Sequence, residues 1–355
     1  MDVAGDGGGR ASGQARVGPA SQDRPNQKGP LMRLGFQIPD FTYDGVPNDQ
    51  LFDAVAAQAI AAEESGWDTV LVMDHFYQLP MLGEPQNNML ECYSLLSALA
   101  VKTSKVQLSA LVTGNTYRNP ALLAKTVTTL DVISSGRAML GIGCGWFELE
   151  HVSYGFDYGT FKSRFDRLDE AMEIIAPMLR GERVTYSGEY YNTVDAMNFP
   201  SPIRQTGVPI MVGGGGEKRT LPIAARYADE SNLICGADEI PHKVSVLAQH
   251  CESIGRDPAS IGVSWLVSAI VGETTEAANN KAAALFADRD ATWSALDEET
   301  KKALGQRMVI GTPADIRERL AELKEDGLTG VTINMPGSHD PDVVRALGEG
   351  LAGLF

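Results

Sequence analysis

The stretch Ala138-Met139-Leu140-Gly141-Ile142-Gly143-Cys144-Gly145-Trp146 holds a buried strand and the turn that leaves it. Residues 138–142 are apolar or glycine and read as a strand, and Gly143-Cys144-Gly145-Trp146 reads as the loop beyond it. Upstream, Pro120 opens a helical pattern at the first-turn position that proline favours, and Gly136 follows its end. Downstream, residues 161–179 form an amphipathic helical pattern that stops at Gly181. The repeating unit is helix, strand, glycine turn, helix.

Outward from this unit the same rhythm recurs. Strand patterns fall at residues 34–38, 69–73, 106–112, 138–142, 209–212, 231–234, 261–271 and 331–335. Between them lie helical patterns at 49–65, 90–100, 161–179, 221–227, 240–254, 275–286 and 314–326, with 342–351 after the last strand. Alternation favours a parallel sheet, and eight repeats favour closure into a (β/α)₈ TIM barrel over an open sheet. Two insertions interrupt it: residues 183–207, which begin as a hairpin about Ser187-Gly188, and residues 288–308. Residues 1–31 are rich in Gly and poor in apolar side chains, and read as a disordered tail before a single domain at 32–355. Met32 is a candidate alternative start.

The chain has 355 residues, 43% of them hydrophobic and 21% charged, as in a soluble globular protein. No run approaches the roughly 18–20 apolar residues of a membrane span, and the first thirty residues lack the apolar core of a signal peptide. A net charge of −16 disfavours nucleic acid and anionic membranes as partners. The cysteines Cys92, Cys144, Cys235 and Cys251 are scattered, which argues for reduced thiols in the cytoplasm and against a zinc ribbon.

In such barrels the chemistry sits in the loops after the strands. The loop after the fifth strand, Gly213-Gly214-Gly215-Gly216-Glu217-Lys218-Arg219, is the clearest signal. Consecutive glycines let backbone N–H groups approach a ligand, and the following helix offers its N-terminus to a phosphate, with Lys218 and Arg219 adding charge. It is not a Walker A loop, because Glu217 precedes Lys218. The glycines at 141, 143 and 145 miss the dinucleotide-binding spacing, since Glu148 stands at the third position. Asp74-His75 ends the second strand on the expected face, and a histidine there can move a proton near neutral pH. His151 reads equally well as an exposed loop or helix residue. No His-x-x-x-His or Gly-x-Ser-x-Gly pattern occurs, which disfavours metal catalysis and a serine hydrolase. Trp146 is placed to wall a planar ring system, and Trp293 falls in the late insertion as a candidate for a lid or interface.

As an ordered set these residues resemble the luciferase-like monooxygenase superfamily, and most of all its branch using the deazaflavin coenzyme F-420. The matching stretches are Arg33–Pro39, Asp74-His75-Phe76, Arg118-Asn119-Pro120, Ser135-Gly136-Arg137, Gly141–Glu148 with His151 and Tyr154-Gly155, Arg164–Leu168, and Gly213–Glu217 with Ala224–Asp229. The resemblance implies a cofactor over the strand ends. His75, Trp146 and Glu148 would face the reactive edge of its ring as catalytic residues. Asp74, Val112, Thr113, Gly114, Gly143 and Gly145 would bind the ring, near a non-proline cis peptide at Val112-Thr113-Gly114. Gly213, Gly214, Gly215, Gly216, Lys218 and Arg219 would hold the phosphate. Trp146 stands where the sugar-phosphate dehydrogenases of this superfamily carry a Glu, so a sugar phosphate is not the expected substrate. The implied activity is hydride transfer between F-420 and a small organic substrate, in a homodimer. The alternatives are an FMN-dependent monooxygenase fed by a partner reductase, and a non-catalytic flavin-binding protein.

Overall fold

A computed structural model of the chain describes residues 34–288, 298, 302, 305–337 and 339–355. The tail at 1–31, Met32, Arg33, Trp293 and most of the insertion at 288–308 lie outside the described residues. Chain order runs β1 (Leu34–Ile38), α1 (Asn48–Glu64), β2 (Thr69–Val72), α2 (Cys92–Lys102), β3 (Gln107–Ala110), β4 (Thr113–Gly114), α3 (Pro120–Ile133), β5 (Ala138–Gly143), α4 (Glu148–Tyr154) and α5 (Phe161–Met178). It continues with β6 (Val184–Ser187), β7 (Asn192–Ala196), β8 (Ile210–Gly213), α6 (Thr220–Tyr227), β9 (Glu230–Leu233), α7 (Ile240–Ser253), β10 (Gly262–Val271) and α8 (Thr275–Asp288). Last come β11 (Met308–Gly311), α9 (Pro313–Lys324), β12 (Gly330–Asn334) and α10 (Pro341–Leu351).

The strands pair in the order β12-β1-β2-β3-β5-β8-β9, all parallel, and β10 pairs with both β9 and β12. That double pairing closes an eight-stranded barrel. Closure satisfies the backbone of every barrel strand and leaves no edge open to another chain. The short strand β4 runs beside β5, and β11 pairs with the C-terminal end of β10. The larger apolar core lies between strands and helices, drawing Phe36, Val70, Leu108, Leu140 and Val212 against Leu96, Leu123, Leu168 and Leu221. A second cluster, Leu71, Leu111, Met139 and Met211 with Val112 and Leu266, comes from five of the strands and their ends. Burying such side chains stabilises the fold by about 1.5–3 kcal/mol each.

Helix starts follow the sequence closely. The Asn119 side chain accepts from the Ala121 and Leu122 N–H groups ahead of Pro120. Thr160 and Ser163 cap α5 reciprocally, as do Thr312 and Asp315 for α9. Three elements depart from expectation. The hairpin turns at 188–191 and returns along β7, so its second strand lies beyond residue 191. Residues 148–154, read as loop, form α4, and part of the late insertion returns to the sheet as β11. Among the described residues no helix is long and apolar enough to cross a membrane.

Candidate active site

Parallel strands in a closed barrel bring all their following loops to one end. There a cavity of about 510 Å³ opens, lined by residues that lie on or follow β1, β2, β3, β5, β8, β9, β10 and β12. The sequence-predicted residues Asp74, His75, Val112, Thr113, Gly114, Gly143, Gly145, Trp146, Gly213, Gly214 and Gly215 all line it. Apolar side chains at Leu79, Met81, Leu82, Leu266, Leu285 and Phe286 complete much of the wall. The mixture of an apolar wall with a few converging polar groups suits a small-molecule site.

His75 lies at the end of β2 with a side chain 13% exposed, and its Nδ1 sits 2.9 Å from the Glu150 carboxylate. Glu150 comes from α4 and is fully buried. Its carboxylate also accepts the Tyr77 N–H at 3.0 Å, the Tyr117 hydroxyl at 2.5 Å and the Phe76 N–H. Burial pushes the Glu150 carboxyl up. The hydrogen bonds from His75, Tyr117 and the backbone outweigh it and hold the group below the usual carboxylate range. The His75 ring meets the Trp146 and Phe147 rings edge-on, each with centroids 5.9 Å away. Trp146 is 50% exposed and stands at the rim.

Glu148 does not take the place expected of it. It is exposed in the first turn of α4 and is absent from the cavity wall. Two residues along a helix turn the side chain through about 200°, so Glu150, not Glu148, meets His75. His151 is buried and structural: its Nε2 lies 2.7 Å from Thr116 Oγ1 and its Nδ1 2.8 Å from the Phe147 carbonyl.

Asp74 lines the cavity with both oxygens already engaged. Arg118 donates to it through two nitrogens at 2.7 and 3.0 Å, and the Gly114 N–H at 3.1 Å. Its place is therefore to fix the β4 backbone. The Thr113 hydroxyl lies 2.6 Å from that of Tyr93, so the Val112–Gly114 wall is held from behind. A non-proline cis peptide joins Leu111 to Val112, one residue earlier than expected. The Leu111 carbonyl accepts from Gln37 Nε2 at 3.1 Å, and Gln37 Oε1 accepts from Asn334 at the same distance.

The glycine turns come close to that wall. A Cβ on Gly143 would stand 2.9 Å from a Val112 methyl carbon, and one on Gly213 2.7 Å from the other. Gly145 and Gly214 have φ of +79° and +130°, a region that disfavours side chains. The N–H groups of Gly215 and Gly216 find no acceptor among the described residues. These features fit a group that presses on the backbone and brings an anion to it. The expected basic pair, Lys218 and Arg219, stands outside the cavity wall. Arg219 is bound to Asp166 and Asp169 at 2.7 and 3.2 Å, and Lys218 is exposed; neither lines the cavity, and Gly216 does not either. The i+3 spacing of Asp166 and Asp169 on α5 forms a carboxylate clamp that draws Arg219 away from the glycines.

Sequence reasoning missed Arg307. Arg307 lines the cavity, and its guanidinium has no hydrogen-bonding or ion-pair partner among the described residues. Burial pushes it below the ordinary arginine value. Its sequence neighbourhood carried no motif, and only the strand β11 brings it to the cavity.

A model of the luciferase-like monooxygenase family matches residues 32–330. The chain is 33% identical over 210 residues to an F-420-dependent glucose-6-phosphate dehydrogenase from Segniliparus rotundus, covering 57% of this chain and 60% of that one. A similarly described enzyme from Kineococcus radiotolerans is 40% identical over 171 residues, 48% of each chain. The chain thus spans about half to three-fifths of the length of the curated relatives it matches. Among solved structures, the F-420-dependent tetrahydromethanopterin reductase of Methanopyrus kandleri superposes with a TM-score of 0.71 at 19% identity, over 90% of this chain and 98% of that one. A monooxygenase from Streptomyces bottropensis gives a TM-score of 0.75 at 19% identity, over the same shares.

Proposed function

The chain belongs to the luciferase-like monooxygenase family, and on that premise we propose that it is an oxidoreductase passing a hydride between coenzyme F-420 and a small organic substrate. The observation that carries this reading is the meeting, in one cavity, of glycine turns pressed against the Val112 wall and a histidine backed by a buried carboxylate. F-420-dependent dehydrogenases among its relatives agree with it.

Val112, Thr113 and Gly114, held from behind by Asp74 and Tyr93, would back the cofactor ring, with Gly143 and Gly145 on the adjoining turn. Gly213 to Gly215 and Thr220 at the start of α6 would take its phosphate, through backbone N–H groups and the positive end of the helix. When bound, the cofactor supplies or takes the hydride. The protein's own share is position and proton. His75 takes or returns the substrate proton, within reach of its free ring nitrogen. Trp146 shields the substrate at the rim, and Leu79, Met81 and Leu82 limit water. Arg307 receives an acidic group of the substrate, which relieves the cost of a half-buried cation that has no partner among the described residues. We place the protein in the cytoplasm as a homodimer, to be checked by sedimentation.

The reading is tested by mixing the protein with oxidised F-420 and a panel of small alcohols, following loss of the deazaflavin absorbance. Turnover by the native chain and its loss in His75→Ala are the expected results. Equal turnover by the variant would remove His75 from the proton step.

A further inference from the structure

The geometry points to Glu150 as a positioning residue that fixes the tautomer of His75, placing the proton on Nδ1 and leaving Nε2 as a bare acceptor in the cavity. This rests on the assignment of His75 to the proton step, and goes beyond it by saying which nitrogen acts and what sets it.

The carboxylate of Glu150 is enclosed, with no exposed surface on its side chain. Four donors converge on it: the Phe76 and Tyr77 N–H groups on Oε1, and the Tyr117 hydroxyl and His75 Nδ1 on Oε2. Backbone N–H groups can only donate, so Oε1 must be an acceptor. An ionised carboxylate accepts at both oxygens, and the 2.9 Å contact to His75 then requires a hydrogen on Nδ1. In a neutral imidazole the other nitrogen carries a lone pair. No partner for Nε2 exists among the described residues, and the side chain lines the cavity. His75 is therefore set to accept a proton from a substrate O–H or N–H group, and as imidazolium to return it. The Glu150 charge also steadies that imidazolium as it forms, as a buried acid does in other acid–base pairs.

Glu150→Gln reverses the arrangement in place. The Phe76 and Tyr77 N–H groups need an acceptor, so the amide oxygen faces them and the amide NH₂ faces His75. Nδ1 must then accept, and the hydrogen moves to Nε2. Tyr117→Phe removes a neighbouring donor and leaves the His75 contact alone, so it keeps the native tautomer.

The test is a long-range ¹H–¹⁵N correlation spectrum of histidine-labelled protein at about pH 8, above the ordinary histidine range. The chain has five histidines, and comparison with His75→Gln assigns the signal. The native spectrum should show the Nδ1–H form for His75, retained in Tyr117→Phe and switched to Nε2–H in Glu150→Gln. An Nε2–H form in the native protein would overturn the inference, and that arm stands even if a variant fails to fold. An unchanged tautomer in a folded Glu150→Gln protein would also overturn it. Once turnover is measured, the same variant should lose at least tenfold in kcat with little change in KM. The Nδ1–H form in a protein that turns over no deazaflavin would support this inference while defeating the hydride-transfer reading.

Discussion

Asp74 and Arg307 are both charged groups on the cavity wall, and their surroundings predict opposite responses to removal. Asp74 is paired bidentately with Arg118, whose side chain is 14% exposed. Asp74→Ala leaves Arg118 with Glu91, at 2.7 Å, as its remaining carboxylate and releases the Gly114 N–H, and should cost about 1–3 kcal/mol in denaturant unfolding. Arg307 has no such partner among the described residues. Arg307→Met should leave the melting temperature unchanged or raise it, while raising KM for an acidic substrate roughly ten- to hundredfold with kcat nearly constant, since a charged hydrogen bond contributes about 1.5–3 kcal/mol. A fall in melting temperature with no change in KM would make Arg307 structural. At this scale the sequence was only partly legible. His75, Trp146 and the glycines could be placed because each follows a strand directly. The carboxylate could not: Glu148 and Glu150 are two residues apart, and which one faces His75 depends on the phase of α4.

At the scale of elements, α4 escaped notice because it has seven residues and no side-chain cap at Phe147, so neither a period nor a start signal marks it. The strand β11 is four residues long and exists through its pairing with β10, a contact across a long insertion. The β5 and β8 turns, by contrast, announce themselves through glycine. Their tolerance to a methyl group can be ranked. A Cβ on Gly141 would fall on the Ala110 carbonyl of the neighbouring strand, which cannot move without breaking the barrel. A Cβ on Gly213 would meet a Val112 methyl carbon at 2.7 Å, which a side-chain shift can relieve. Gly213→Ala should therefore fold, at a cost of about 1–3 kcal/mol, and bind cofactor more weakly. Gly141→Ala should lose far more stability. Thermal melts of the two variants check the order, and equal losses would refute it.

The whole barrel was readable because its signal is a repeat. Eight strand patterns and the helices between them recur along 300 residues, and small boundary errors do not alter the count. Closure itself, through the pairing of β9 with β10, is a long-range event that only the count suggested. Stability of the molecule should fall on the acid side. Burial pushes Glu150, Glu91 and Glu63 up, but hydrogen bonds hold each below its ordinary value in the folded state. The unfolded chain then binds protons more readily than the folded one as pH drops below about 5. Their contribution is whole above the ordinary glutamate range and is lost as pH falls through the folded values. Melting temperature should be level near neutrality and decline below about pH 5, with a shallower decline in Glu150→Gln. The central claim, a deazaflavin seated against Val112 and the glycine turns, is tested most directly by titrating the protein with oxidised F-420 and, separately, FMN, while following tryptophan fluorescence, to which Trp146 at the cavity rim contributes. Saturable quenching by F-420 at micromolar concentration, with FMN at least tenfold weaker, is the predicted result; preference for FMN, or binding of neither, would contradict it.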